Sequence, residues 1–407
     1  MSEKTDFEAI PFGSVVSPKG FFAGAAHAGI KDPDPKRLDL GVLFSEVDCQ
    51  VAGLFTRNKV QSAPVRVCKE RLAAGHGRVI VVNSGCANAS TGERGMEDAK
   101  EMTSLMCKPL GVPDHSAFVA STGVIGVRLP MDKIRDGLSR IALTREGGHD
   151  LAHAMMTTDL VEKECALAVK GNGFEYIVAG VAKGSGMIHP DMATMLCFIT
   201  TDARVEASFL QAALKRAADI SFNMITVDGD TSPSDTVLLL ANGAAGIRKI
   251  TAGTQEGRVF QRVLNRVCTE LAKSIARDGE GAKRLIEVTV EGARSTKDAR
   301  VAARTIAGSS LVKTAVYGAD PNWGRVVAAL GRSGAQVEEN CIDVYLGDQC
   351  VMRAGAPQTF DTDRARKTLK AKEVKFGLSL NLGRGKATAW GCDLTPQYVR
   401  INSDYTT

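Results

Sequence analysis

An α+β fold of layered sheet and helix is the class this sequence predicts, and three observations lead to it. Short runs rich in valine and isoleucine, bounded by Gly or Asn, recur along the chain and read as strands. Segments with helical apolar spacing lie between them. The two kinds alternate without the strict strand–helix–strand rhythm of a doubly wound sheet.

In chain order, "VAGLFT" (51–56) and "RVIVVN" (78–83) are the first two strands, each a compact apolar run closed by a polar residue. "YIVAGVA" (176–182) and "MLCFIT" (195–200) follow on either side of a loop of small and turn-forming residues. A helix is expected over 207–219, and a stronger one over 258–276, where Val259, Phe260, Val263, Leu264, Val267, Leu271 and Ile275 form one apolar stripe. "IEVTVEG" (286–292) is a strand, 297–308 a helix, "IDVYLG" (342–347) a strand and 364–371 a helix. Glycine clusters in polar turns at 83–92, 121–126, 228–235 and 317–325. Glycine lets a ligand approach the main chain, and several such loops point to a shared, loop-lined pocket. A chain of 407 residues should hold two or three compact units, and the boundary is placed near "RDGEGAKR" (277–284).

Composition narrows the class. Apolar residues at 44% and charged residues at 24% are ordinary globular usage. The net charge of +5 comes from scattered basic residues, so neither nucleic acid nor a membrane surface is an expected partner. No apolar stretch reaches membrane-spanning length, and "MSEKTDFEAI" is not expected to be a signal or transit peptide. Ten cysteines without a C-x-x-C pair read as small buried hydrophobes in a reducing compartment. A cytosolic location is the expectation.

The familiar catalytic signatures are missing. "LGRGKAT" (382–388) has Leu380 where a phosphate loop needs its first glycine, and neither G-x-S-x-G nor H-E-x-x-H occurs. The six histidines are isolated; only His149 and His153 share helical spacing, and a solvated turn is the preferred reading over a zinc site. What remains is hydroxyl chemistry without histidine. A threonine can use its own α-amino group as general base once the peptide bond before it is cut. An internal threonine makes that cut by attacking the preceding carbonyl, and water then hydrolyses the ester. Ala193–Thr194, inside "KGSGMIHPDMATMLCFITTDA" (183–203), has the small residue such an attack needs. On residues alone the preferred reading is an ordinary strand-initial threonine, since most such threonines are structural.

Ten motifs then occur in order. They are "FTRNKVQSAPV" (55–65), "VVNSGCANA" (81–89), "STGVIG" (121–126), "MTTD" (156–159), "AKGSGMIHPDMATML" (182–196), "FNMITVDGDTS" (222–232), "RDGEGAKR", "ADPNWGR" (319–325), "ATAWGCDLT" (387–395) and "YVRINSDYTT" (398–407). Over nearly the whole length the chain resembles the self-processing ornithine acetyltransferases (glutamate N-acetyltransferases) of arginine biosynthesis.

The resemblance implies a sheet-and-helix sandwich like that of the self-cleaving N-terminal-nucleophile aminopeptidases, with a smaller C-terminal α/β unit over 285–407. It implies cleavage between Ala193 and Thr194 into an α chain (1–193) and a β chain (194–407), associated as a heterotetramer of two such pairs. Thr194 would be nucleophile and base, and Thr122 with Gly123 the oxyanion donors, each such donor being worth roughly 3 kcal/mol. Thr157, Lys183, Thr194, Glu280, Asn402 and Thr407 would bind substrate, with Thr158 an alternative to Thr157. An ammonium at Lys183 suits an amino-acid carboxylate, and a carboxylate at Glu280 suits the ornithine amine.

The implied reaction moves acetyl from N-acetylornithine to glutamate through an acetyl-threonine, with no metal or organic cofactor. Some members also accept acetyl-coenzyme A, and no single residue decides that point. Two rival classes are a self-cleaving aminopeptidase or amidase and a non-catalytic small-molecule binder. One departure stands out: the family commonly has an asparagine after "DGDTS", where this chain has Pro233 and Ser234. It is expected to affect a loop rather than catalysis.

Overall fold

The structure, a computed structural model, describes residues 7–171, 174–189 and 195–404. Ala193, Thr194 and Thr407 lie outside the described residues.

Nine strands form the larger sheet: β1 (Phe7–Ala9), β2 (Phe21–Ala26), β3 (Leu40–Phe55), β4 (His76–Cys86), β5 (Ala117–Val124), β6 (Lys163–Gly171), β7 (Phe174–Lys183), β8 (Leu196–Thr201) and β9 (Thr236–Ala241). Their order is β1-β6-β7-β8-β9-β3-β4-β5, with β2 also paired to β3. Pairing is antiparallel from β7 to β8, parallel from β8 to β9, and antiparallel again from β9 to β3.

Along β8 the side chains divide between two cores. Cys197 and Ile199 join one, Leu196 and Phe198 the other, and all four are buried. Both faces are therefore covered, which explains why this strand is a continuous apolar run rather than an alternating one. Full burial of such a side chain contributes about 1.5–3 kcal/mol. Helices Ala207–Ile220 and Gln255–Arg277 cover one face. Helices Ala63–Leu72, Gly92–Leu110, Met131–Ser139 and Gly148–Met155 cover the other. The layered α+β architecture is the expected class.

The predicted stripe from Val259 to Ile275 is buried throughout. Its helix starts at Thr254, whose hydroxyl accepts from the Gly257 amide at 3.0 Å and satisfies a free first-turn donor. The six predicted strands and four predicted helices are present, most with ends shifted by a few residues; the strand read over 51–56 falls in the second half of β3, which begins eleven residues earlier at Leu40. The four helices on the second face were not anticipated. His149 and His153 lie on the helix Gly148–Met155 rather than in a turn. Each faces its own acid, Glu164 at 2.6 Å and Glu162 at 2.5 Å, so the i,i+4 spacing serves two separate pairs.

The second sheet begins after the "RDGEGAKR" segment. It holds β10 (Leu285–Ala293), β11 (Asp343–Leu346), β12 (Gln349–Arg353), β13 (Ala356–Pro357), β14 (Glu373–Ser379) and β15 (Gly385–Cys392), in the order β13-β12-β11-β14-β10-β15. No helix among the described residues is long and apolar enough to cross a membrane.

Candidate active site

The end of β7, the end of β5 and the loop before β9 meet at one cleft, whose lining includes Thr122, Gly123, Thr157, Lys183, Glu280 and Asn402. All six are residues singled out above. Met195 and Thr158 line it too.

Lys183 is the centre of the arrangement. It ends β7, is buried, and donates from Nζ to Thr157 Oγ1 at 2.9 Å and Thr122 Oγ1 at 3.3 Å. Burial pushes its pKa down; Asp159 opposes that, Lys163 adds to it, and Glu280 and Asp235 oppose it. A hydroxyl that accepts from an ammonium keeps its own proton to give elsewhere. Thr122, which lines the cleft, therefore keeps a proton free to donate.

Gly123 follows Thr122 at the end of β5, where a β-turn was the simpler expectation for "STGVIG". Its φ of +124° is one that L side chains rarely adopt, and a Cβ here would stand 2.4 Å from the Gly85 carbonyl carbon on β4. Glycine is required for strand pairing at this point, and Thr122 and Gly123 both line the cleft.

Beneath Lys183 lies a charged group that the sequence reading missed. Lys163 Nζ, with no exposed surface, donates to Asp159 Oδ1 at 2.7 Å and Asp278 Oδ2 at 2.6 Å. Asp159 also accepts from the Gly184 amide at 2.7 Å and the Thr157 amide at 3.0 Å, and stands 3.9 Å from Lys183. Burial disfavours its charge, but Lys183, Lys163 and the hydrogen bonds overcome that and hold the carboxyl well below the usual carboxylate range. Asp159 thereby fixes the two residues, Thr157 and Lys183, that meet in the cleft. Both acids stood in quoted motifs, "MTTD" and "RDGEG"; their burial was the missing signal.

On the opposite side, Glu280 is buried and accepts from Asn402 Nδ2 at 2.7 Å. The Glu280 amide donates to Ser185 O at 3.0 Å, tying the "RDGEG" turn to the loop after Lys183. Gly186 lies so close that a Cβ would fall 2.3 Å from the Glu280 carboxyl carbon. Asn402 belongs to the helix Pro396–Asp404, which has no buried residue, so polar contacts such as this one seat it.

Pro233 and Ser234 also line the cleft. The departure from the family pattern lies in a loop, as expected, and that loop lines the cleft. The reason is register: β8 and β9 run parallel with Leu196 opposite Thr236, which brings the loop before β9 to the edge where β8 begins. Among the described residues no group of three or more His, Cys, Asp or Glu could hold a metal ion.

Comparison with known proteins adds four findings. The ArgJ family model matches residues 22–407. The arginine biosynthesis bifunctional protein ArgJ of Dehalococcoides mccartyi is 54% identical over 99% of this chain and 100% of its own length. The protein of the same name from Symbiobacterium thermophilum is 52% identical over 97% of this chain and 99% of its own. A solved chain of the Bacillus halodurans protein of that name is 45% identical with a TM-score of 0.50, and it covers 51% of this chain and 98% of itself.

Proposed function

This chain belongs to the ArgJ family, and from that membership and the geometry of the cleft we propose that it transfers acetyl from N-acetylornithine to glutamate through its own Thr194. It is an acetyltransferase of arginine biosynthesis. The observation that carries the site assignment is the convergence of Lys183, Thr122 and Thr157 in a cleft also lined by Met195, the residue bonded to Thr194.

The precursor first cuts itself. The Thr194 hydroxyl adds to the Ala193 carbonyl, the C–N bond breaks, and the hydroxyl proton ends on the freed amine. Water hydrolyses the ester, leaving the Ala193 carboxylate and a free Thr194 hydroxyl and amine. Half-length chains fit this reading: curated relatives match over nearly the whole chain, whereas the solved Bacillus halodurans chain spans 51% of it and is itself almost fully matched.

In transfer, the Thr194 amine takes the hydroxyl proton as the oxygen attacks the acetyl carbonyl. The Thr122 hydroxyl and Gly123 amide receive the oxyanion, Lys183 the substrate carboxylate, and the buried Glu280 carboxylate the ornithine ammonium. Ornithine leaves with the proton, and the glutamate amine collects the acetyl group from the ester. Ala193 and Thr194 form the cut, and Thr407 completes the substrate contacts. The relatives' name, bifunctional, supports a second donor, for which acetyl-coenzyme A is proposed. The pairs 1–193 and 194–407 assemble as a heterotetramer in the cytoplasm, in keeping with ten free cysteines.

The test is Thr194→Ala. One uncut chain without transferase activity is expected on a denaturing gel and in an acetyl-transfer assay. Two chains, or retained turnover, would refute the reading. Acetyl release to water in place of glutamate in the unaltered enzyme would favour an amidase.

A further inference from the structure

The motif "FNMITVDGDTS" takes no part in the reaction above, yet its second half grips the chain just ahead of the cut. Asp228 accepts from two consecutive amides, Met187 through Oδ2 at 2.6 Å and Ile188 through Oδ1 at 2.9 Å. Oδ1 also accepts from Asp230 N at 3.2 Å, which keeps the carboxylate in place. The Val227 amide donates to Ile188 O at 2.7 Å. At the next residue, Thr231 Oγ1 donates to His189 O at 3.0 Å, and His189 Nδ1 pairs with Thr226 Oγ1 at 2.9 Å. Three successive residues, 187 to 189, are therefore held by 226–231.

The same stretch holds the chain just past the cut. The Thr236 amide donates to Met195 O at 2.9 Å, and Thr236 stands opposite Leu196 in the parallel β8–β9 pair. Residues 226–236 thus fix both flanks of the five residues that contain the scissile bond. One flank is strained as well. Met187 has φ +53°, a left-handed conformation that costs free energy for an L residue, and the Asp228 bond to its amide holds it there.

We propose that residues 226–236 are an internal template for chain cleavage, with Asp228 the positioning residue that anchors the upstream flank. The proposal rests on cleavage at Ala193–Thr194 as read above. Fixing both ends shortens the search by which the Thr194 hydroxyl meets the Ala193 carbonyl, since orientation is set in folding rather than at the moment of attack. After the cut the Asp228 bonds hold only the tail of the 1–193 chain, on the far side of the break from Thr194, whereas Thr236 goes on holding Met195 beside the nucleophile. Asp228 therefore serves the single cleavage event rather than each turnover.

The experiment follows the full chain through time on a denaturing gel for the unaltered protein, Asp228→Asn, Asp228→Ala and Thr231→Val. Turnover is measured per free N-terminal threonine, counted by mass spectrometry. Asp228→Ala is expected to slow cleavage by roughly ten- to a hundredfold. Asp228→Asn, which keeps one acceptor oxygen, should fall between it and the unaltered chain, and kcat per cleaved site should stay within about twofold. Cleavage at the unaltered rate overturns the template. So does an equal fall in cleavage rate and per-site kcat, which would place Asp228 in the transfer machinery. If the Asp228 variants do not fold, Thr231→Val is judged by the same split. An unaltered chain that never cuts would instead overturn the parent reading, so the two failures are distinct.

Discussion

Replacing Asp159 by asparagine is the sharpest test of the buried charges beneath the cleft. The change keeps shape but removes the negative charge that faces Lys163 at 2.7 Å and Lys183 at 3.9 Å. At an effective dielectric of about 20, the Lys183 attraction alone is worth about 4 kcal/mol. Breaking one partner out of a buried pair costs about 3–5 kcal/mol of stability, and that is the loss expected near neutral pH.

The sign with pH follows from the direction of the shift. Asp159 titrates lower in the folded protein than in the unfolded chain, so its stabilisation is complete above about pH 4 and is lost as pH falls further. The gap between the unaltered enzyme and Asp159→Asn should therefore be widest near neutral pH and narrow in acid. Urea denaturation from about pH 3 to about pH 8 reads this. Transfer gives a second signal. Burial already lowers the Lys183 pKa and Asp159 is the first group opposing that, so its loss should move the alkaline limb of activity to lower pH. A variant within about 1 kcal/mol of the unaltered enzyme at neutral pH, with an unmoved alkaline limb, would refute the argument.

Two further substitutions probe the two sides of the cleft. Gly123→Ala places a Cβ 2.4 Å from the Gly85 carbonyl carbon at a φ of +124°, so the strand ends must part. Steady-state kinetics should show kcat down by roughly 10²–10³, with KM much less affected. Glu280→Gln removes the charge proposed to face the ornithine ammonium. KM for N-acetylornithine should rise by roughly ten- to a hundredfold while KM for glutamate stays within about twofold, because glutamate has no side-chain cation.

Most of the fold was legible wherever one physical signal dominated. The helix Gln255–Arg277 announces itself through a continuous stripe, and β8 through an apolar run buried on both faces. β2, "FFAGAA", was not legible: its small residues exist because Gly24 packs where a Cβ would lie 2.1 Å from Ala142 O, a contact made far along the chain. The helix Gly92–Leu110 was hidden because its first residue, Gly92, read as the end of a glycine turn. At the site, residues were recognised by type and motif, but their support was not. Lys163 and Asp159 look like solvated charges in "MTTDLVEKEC"; only tertiary packing shows that neither side chain is exposed. The same limit made Pro233 and Ser234 seem remote, since a parallel register cannot be read from one strand alone.

The central position of β8 and β9, between β7 and β3, changes what stability means for this enzyme. While the chain is whole, melting is an event within one molecule and its reversal needs no partner. If the link before Thr194 is severed, as proposed, the sheet is a weave of two polypeptides, and unfolding releases two bodies into solution. The melting temperature then depends on protein concentration. Refolding must bring two partners together, with no renewed cut available to guide them. Survival of the mature enzyme becomes a matter of how slowly the weave opens rather than of how favourably it re-forms.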